Sequence, residues 1–190
     1  MTITIRTARV DELEDLEALQ LRASLANPGD RAAILAHPDA IAIPPSQIAG
    51  GKVFVAASDG SVLGFSAVLD RTDGQTELDG LFVEPSLWRA GLGRLLVERA
   101  KDYGRDRSAS WLHVIGNPHA EGFYEACGFV TYGSHETEFG PGLLMRAALG
   151  TSGRQSPSCW FPLNAPKTAY GKGCRCPRCV EAERARNRRR

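Results

Sequence analysis

The chain has 190 residues, a net charge of +1 and 43% apolar residues, which is enough for one domain of ordinary size with chain left over. No apolar run approaches the length that spans a bilayer, which excludes a helical membrane protein and predicts no membrane partner. The net charge conceals an asymmetry. Residues 1–149 carry 13 Lys and Arg against 20 Asp and Glu, a balance of −7, whereas residues 150–190 carry 10 against 2, a balance of +8. The boundary therefore falls near Leu149-Gly150, with an acidic domain before it and a basic tail after it. An acidic domain favours cationic partners.

The start, Met1-Thr2-Ile3-Thr4-Ile5-Arg6, alternates as a strand does and not as a secretion signal does, so cytoplasmic residence is the expectation. From Asp11 onwards, Leu13, Leu16, Leu19 and Leu21 fall on one face with Glu12, Glu14, Asp15 and Glu17 outside. That pattern predicts an amphipathic helix with acids at its N-terminus, stopped by Asn27-Pro28-Gly29. A short second helix is expected over residues 31–36. Residues 41–51 read as an apolar loop with a short helix from Ser46, and Ile41, Ile43 and Ile48 are candidates to cap the core. Residues 52–58 and 61–70 are two strands joined at Asp59-Gly60, a strong hairpin signal. A turn at Arg71-Thr72-Asp73-Gly74 leads into a strand over residues 76–83. A helix over 91–106 and a strand over 110–115 follow. The next helix, 118–127, has Pro118 in its first turn and Gly128 after its end. Two last strands, 129–132 and 142–147, flank an irregular stretch around Gly140-Pro141. The order β-α-α-β-β-β-α-β-α-β-β predicts a mixed α/β sheet covered by helices.

The stretch Leu81-Phe82-Val83-Glu84-Pro85-Ser86-Leu87-Trp88-Arg89-Ala90-Gly91-Leu92-Gly93-Arg94 is where chemistry is expected. It runs from a strand through a basic turn into a helix whose face is predicted from Leu92, Leu95, Leu96 and the stem of Arg99. The first N–H groups of such a helix have no partners, and Gly91 and Gly93 remove side chains that would keep an anion away. A phosphate or pyrophosphate is the expected ligand, with Arg89 and Arg94 beside it. The glycines lack the Lys-Ser or Lys-Thr of a P-loop, and Leu96 stands where a dinucleotide fingerprint has its third glycine.

Val83-x-Pro85 followed by x-x-Gly91-x-Gly93 resembles the coenzyme A loop of the GNAT N-acetyltransferase superfamily. Downstream, Asn117-Pro118-His119-Ala120-Glu121-Gly122-Phe123-Tyr124-Glu125-Ala126-Cys127-Gly128-Phe129 resembles that family's second signature. One position departs: Trp88 stands where the family usually has Gln or Arg. The resemblance covers residues 1–149 and implies a GNAT-like sheet whose strand before the loop splays from its neighbour. It implies acetyl-CoA as acyl donor, held by Leu81, Phe82 and Val83 along the pantetheine, by Arg89, Ala90, Gly91, Leu92, Gly93 and Arg94 at the pyrophosphate, and by Asn117. It also implies Tyr124 as general acid for the leaving sulfur, and direct transfer to an amine of a small molecule or peptide.

Some assignments stay open. Asn117 reads equally as a helix N-cap. Tyr124 reads also as a buried ring bonded to a carbonyl. Glu77 is the candidate base, and two residues on Asp79 is expected on the same face of the strand, together with Leu81 and Val83. Asp79 and Ile41 are candidate acceptor contacts, and base work through Asp79 or a water is an alternative. His113 reads as a strand residue with a local bond, His119 as a solvent-facing residue, and Cys127 as packing.

The tail, residues 150–190, reads as a basic, disordered linker. Cys159, Cys174, Cys176 and Cys179 have thiols enough for one zinc ion, at spacings that match no standard finger. Its Arg-rich end lacks the aromatic interleaving of a nucleic-acid reader. The rival functions are a non-catalytic acyl-CoA sensor and a zinc or nucleic-acid role carried by the tail. Monomer and homodimer are both compatible with the sequence.

Overall fold

Hydrophobic periodicity and turn residues produce the predicted order of elements, except that the short helix near Ser46 makes three helices, and not two, between the first two strands. The structure, a computed structural model, describes residues 2–137 and 140–150. They form β1 (Thr4–Thr7), α1 (Leu13–Ala26), α2 (Arg31–Ala36), α3 (Pro45–Ala49), β2 (Val53–Ser58), β3 (Ser61–Asp70) and β4 (Thr76–Val83). These are followed by α4 (Leu92–Asp106), β5 (Trp111–Gly116), α5 (Glu121–Ala126), β6 (Val130–Thr137) and β7 (Gly140–Ala148). The cysteines proposed for zinc, the basic end and the tail lie outside the described residues.

The strands make one seven-stranded sheet in the order β1-β2-β3-β4-β5-β7-β6. Asp59 and Gly60 both have positive φ, 51° and 83°, as a tight two-residue hairpin between β2 and β3 requires. Leu16 and Leu19 of α1 pack on one face with Ile43, Ile48, Val53, Val55, Phe65 and Ala67. The other face, lined by Phe54, Val68, Leu78, Leu112, Val114 and Met145, receives Val97, Ala100 and Tyr103 of α4, while Leu92 and Leu96 pack on Ala56. The guanidinium of Arg99 lies 4.1 Å from the centre of the Phe54 ring, so its stem joins this layer as expected.

Three expectations are corrected. Leu21 is 39% exposed because it sits two residues from Leu19, over half a turn away from the buried stripe. Leu95 is 47% exposed, beside the stripe of Leu92, Leu96 and Val97 and outside it. The last two strands are longer than predicted, since Gly140 and Pro141 lie within β7, where Pro141 pairs with Glu136.

Two features of β4 position everything that follows. It pairs with β5, in parallel, only over Thr76, Leu78 and the Glu77 between them, and then the two strands part. In addition, its register with β3 slips between Ala67 and Val68: Leu78 faces Val68, Gly80 faces Ala67, and Asp79 has no partner. Asp79 is thus the extra residue of a β-bulge. Alternation restarts beyond it. Leu81 and Val83 join the α4 side with Leu92, whereas Phe82 joins the α1 side with Phe65.

Candidate functional site

The opening begins where β4 and β5 separate. The Glu84 N–H bonds to the Leu63 carbonyl, so residues 82 and 84 direct their backbone groups to β3 and residues 81 and 83 direct theirs to the opening. Trp88, the departure from the family pattern, has a use here: its Nε1 donates to the Val83 carbonyl at 2.8 Å. Val83 therefore offers only its N–H to a ligand, while Leu81 offers both groups.

Beyond β4, a 3₁₀ turn at Pro85–Leu87 leads to Arg89, left-handed at φ 65°, and to Gly91, the N-cap of α4, at φ 89°. A Cβ on Gly91 would meet nothing within 4 Å, so the space before the helix is open and the conformation itself favours glycine. Gly93 serves another purpose, since a Cβ there would come within 3.2 Å of the Phe123 ring. Arg94 donates from Nη2 to the Ala126 carbonyl at 3.0 Å and so ties α4 to the end of α5. Arg89 is exposed beside the helix end. Ala90 and Leu92 complete the turn, Leu92 being buried.

On the β5 side, Asn117 accepts from the His119 N–H at 2.9 Å, which makes it the N-cap of a 3₁₀ turn at Pro118–Ala120. Its Nδ2 donates to Asp30 Oδ1 at 2.5 Å. Tyr124 of α5 lies between Phe123 and Phe129, with ring centroids 5.3 and 5.5 Å away. A Cβ on Gly116 would come within 3.2 Å of its ring, so the glycine makes room for the tyrosine. The phenol makes no hydrogen bond among the described residues, in contrast with the reading of a ring bonded to a carbonyl. Burial, reinforced by Cys127 and by the charge of Asp30, pushes the phenol well above the usual tyrosine range and keeps it protonated.

The carboxylates divide differently from expectation. Because of the bulge, Glu77 does not share a face with Leu81 and Val83; its partner in register is Leu69 on the α1 side. It is ion-paired with Arg71 at 2.6 Å. Asp79 is the first residue of β4 beyond the last pairing with β5, is exposed, and accepts from Gln47 Nε2 at 3.3 Å. Partial burial of its carboxyl, with the charge of Glu77, raises its pKa against the opposing bond from Gln47. Ile43 and Ile48 are core residues, and Ile41 remains half-buried. His113 has the local bond expected of it, Nδ1 to Tyr132 Oη at 3.3 Å, and burial lowers its pKa. Cys127 is buried, and its thiol is pushed up by burial.

Residues that the sequence reading did not single out also line this region. Arg71 holds Glu77, Gln47 holds Asp79, and Asp30 holds Asn117. The Arg146 guanidinium stacks 4.3 Å from the centre of Trp111 and 5.2 Å from that of Tyr132, and its buried Nε has no hydrogen-bond partner among the described residues. Gln47, Asp30 and Arg71 carried a local signal of position only, in the short helix at Pro45, beside the Asn27-Pro28-Gly29 turn and in the Arg71-Thr72-Asp73-Gly74 turn.

Comparison with known sequences decides the family. The sequence model described as "Acetyltransferase (GNAT) family" matches residues 17–129, more than half of the chain. The chain belongs to the GNAT acetyltransferase family. It is thereby an acyltransferase, and its sheet, splayed between β4 and β5, is the GNAT fold. The PaiA N-acetyltransferase of Thermoplasma acidophilum, solved in complex with coenzyme A, is similar at 16% identity and TM-score 0.63, over 78% of this chain and 99% of that one. YjaB of Escherichia coli, in its apo form, is 26% identical with TM-score 0.56, over 80% of this chain and 100% of that one. The ribosomal-protein-S18-alanine N-acetyltransferase of Escherichia coli is 20% identical with TM-score 0.58, over 80% and 97%. No curated protein matches the chain. Among the described residues, no helix of this GNAT protein is long and apolar enough to cross a membrane, and no cluster of His, Cys, Asp and Glu could hold a metal ion.

Proposed function

We propose that residues 1–149 form an acetyl-CoA-dependent N-acetyltransferase that moves the acetyl group directly to a primary amine of a small molecule or peptide. The observation that carries this reading is the free edge of β4 running into the open first turn of α4. An extended pantetheine arm adds to Leu81 and to the Val83 N–H as a strand adds to a sheet edge, alongside Phe82. The pyrophosphate takes the N–H groups of Arg89 and of residues 91–94 and the charge of Arg89, the Ala90 N–H being bonded to the Leu87 carbonyl. PaiA, with its bound coenzyme A on a similar fold, supports this reading.

The chemistry then has its donors and acceptors. The neutral amine attacks the thioester carbon, a C–N bond forms, and the tetrahedral intermediate expels the thiolate as the C–S bond breaks. The thiolate takes the proton of Tyr124, whose unpartnered, protonated phenol supports the role of general acid. The proton lost by the amine passes to a carboxylate, directly or through water. Asp79 suits that step better than Glu77, because its basicity is raised and it has no ion pair among the described residues, whereas Glu77 is held by Arg71. The raised, buried thiol of Cys127 argues against an acyl-cysteine intermediate and so for direct transfer. Ile41 and Asp79 are the acceptor contacts.

Titration of the full chain with CoA, acetyl-CoA and ATP, followed by thiol release with a panel of amines, tests this reading. Binding of both coenzymes without ATP binding is expected, together with amine-dependent release. Coenzyme binding without release would turn the reading to an acyl-CoA sensor, and no coenzyme binding would end it. The base is tested separately. Asp79→Asn is expected to lower turnover about 100-fold. It should also abolish the acid limb of the profile, which in the wild type falls as pH drops through the raised pKa of Asp79. Glu77→Gln is expected to have the smaller effect. A wild-type rate and profile in either variant excludes that carboxylate.

A further inference from the structure

The separation of β4 from β5 divides the sheet into two arms. One arm is β1 to β4 with α1 to α3; the other is β5 to β7 with α5. At the closed end of the opening the arms are joined by Gln75, whose side-chain oxygen accepts from the N–H groups of Ser110 and Trp111, and by the Thr76 hydroxyl, which donates to the Trp111 carbonyl. At the open end a different contact spans them. The Asn27-Pro28-Gly29-Asp30 turn between α1 and α2 reaches the turn after β5, where Asp30 Oδ1 accepts from Asn117 Nδ2.

This contact is prepared on both sides. Asn27 Oδ1 accepts from the Gly29 N–H at 3.1 Å, which folds the turn, and Asn27 Nδ2 donates to Asp30 Oδ2 at 2.7 Å, which aims the carboxylate. Opposite, Asn117 is fixed because its Oδ1 caps the His119 N–H. The surfaces are pressed together at Gly29, where a Cβ would stand 2.6 Å from Asn117 Nδ2 and from the His119 ring. The turn held in this way leads directly into α5, which carries Tyr124.

We propose that Asp30 is a positioning residue for acetyl transfer: through Asn117 it ties the open end of the sheet and sets the spacing between the β4 edge and Tyr124. The proposal rests on the acetyltransferase reading for its functional consequence, although the tie itself does not depend on it. An extended ligand that adds to β4 must fit between the arms, so a tie at their open end sets how much of its binding energy goes into ordering the site. Asp30 touches no reacting atom.

The test exchanges the polarity of the tie. Asn117→Asp keeps the cap on His119 but removes the donor and sets two carboxylates against each other. Combining it with Asp30→Asn restores a donor and an acceptor: the new amide at position 30 bonds to the new carboxylate at position 117, and its oxygen still accepts from Asn27. In the full chain, N117D is expected to weaken CoA binding, measured by calorimetry, about tenfold or more, the size of one charge-assisted hydrogen bond. D30N/N117D is expected to return to within about threefold of wild type. Hydrogen exchange of the amides of residues 117–124, measured without ligand, should rise in N117D and fall back in the double variant. A contact that serves only to hold the loop would move exchange but leave CoA affinity unchanged, and that result would overturn the proposal. So would a double variant no better than N117D, which would make Asn117 a direct ligand contact. If the wild type binds no CoA, the acetyltransferase reading falls, and the exchange measurement alone still decides whether the tie exists.

Discussion

Tyr124→Phe is expected to leave CoA affinity within about twofold of wild type and to lower turnover about 100-fold or more, the range for loss of a general acid. The substitution removes one oxygen and keeps the ring between Phe123 and Phe129 over Gly116. No protein group among the described residues bonds to that oxygen, so none is left unpaired, and stability should change little. Steady-state kinetics beside calorimetry would separate the two effects. The pH profile adds a second check. A phenol raised above its ordinary value stays protonated through neutral and mildly alkaline pH, so Tyr124 should produce no basic limb below the ordinary tyrosine range near 10. A rate for Tyr124→Phe equal to wild type would remove the general-acid assignment.

Gly91→Glu is expected to weaken CoA binding more than about 100-fold, or about 2.7 kcal/mol, while the domain stays folded. The residue caps α4 at φ 89° and its missing side chain would project into open space. A glutamate there fills the volume before the helix and brings negative charge to the N–H groups meant for an anion. The left-handed backbone adds a strain of about 1–2 kcal/mol, which a domain of this size tolerates. Gly91→Ala isolates that strain, so a thermal melt and a titration of both variants distinguish strain from occupancy. Wild-type affinity in Gly91→Glu would mean that the pyrophosphate lies elsewhere.

Much of this architecture could be read from local chemistry. Asp59-Gly60 makes the hairpin because two positive φ values are needed there, and Asn117 caps its turn because a short amide oxygen reaches the N–H two residues on. The glycine-containing turn into α4 and the Tyr124 helix followed from two motifs in the expected order. What escaped was of another kind. Counting by twos along β4 put Glu77 with Leu81 and Val83, and the single unpaired Asp79 reversed that result. Gly80, an isolated glycine in a strand, was the available hint of a bulge. Asp30 and Asn117 lie 87 residues apart in sequence, so their contact depends on how the arms are placed and on no nearby pattern. Arg71 and Glu77 meet across a turn whose residues gave no sign of which carboxylate the arginine would take.

The early parting of β4 from β5 has a consequence for the protein's behaviour among other proteins. A strand with unpaired backbone groups usually sits at the rim of a sheet, where it can template aggregation with a neighbouring chain. Here the unpaired stretch, residues 79–83, lies in the middle of the sheet and is faced by Ile115 and Gly116 across the gap. A second folded sheet cannot bring its own edge into that gap, because β5 stands in the way. A single flexible thread can. The adhesive edge that would be a hazard at the rim is thereby restricted to slender guests, and sociability toward other sheets is limited by shape without any charged or proline residue on the edge itself beyond Asp79.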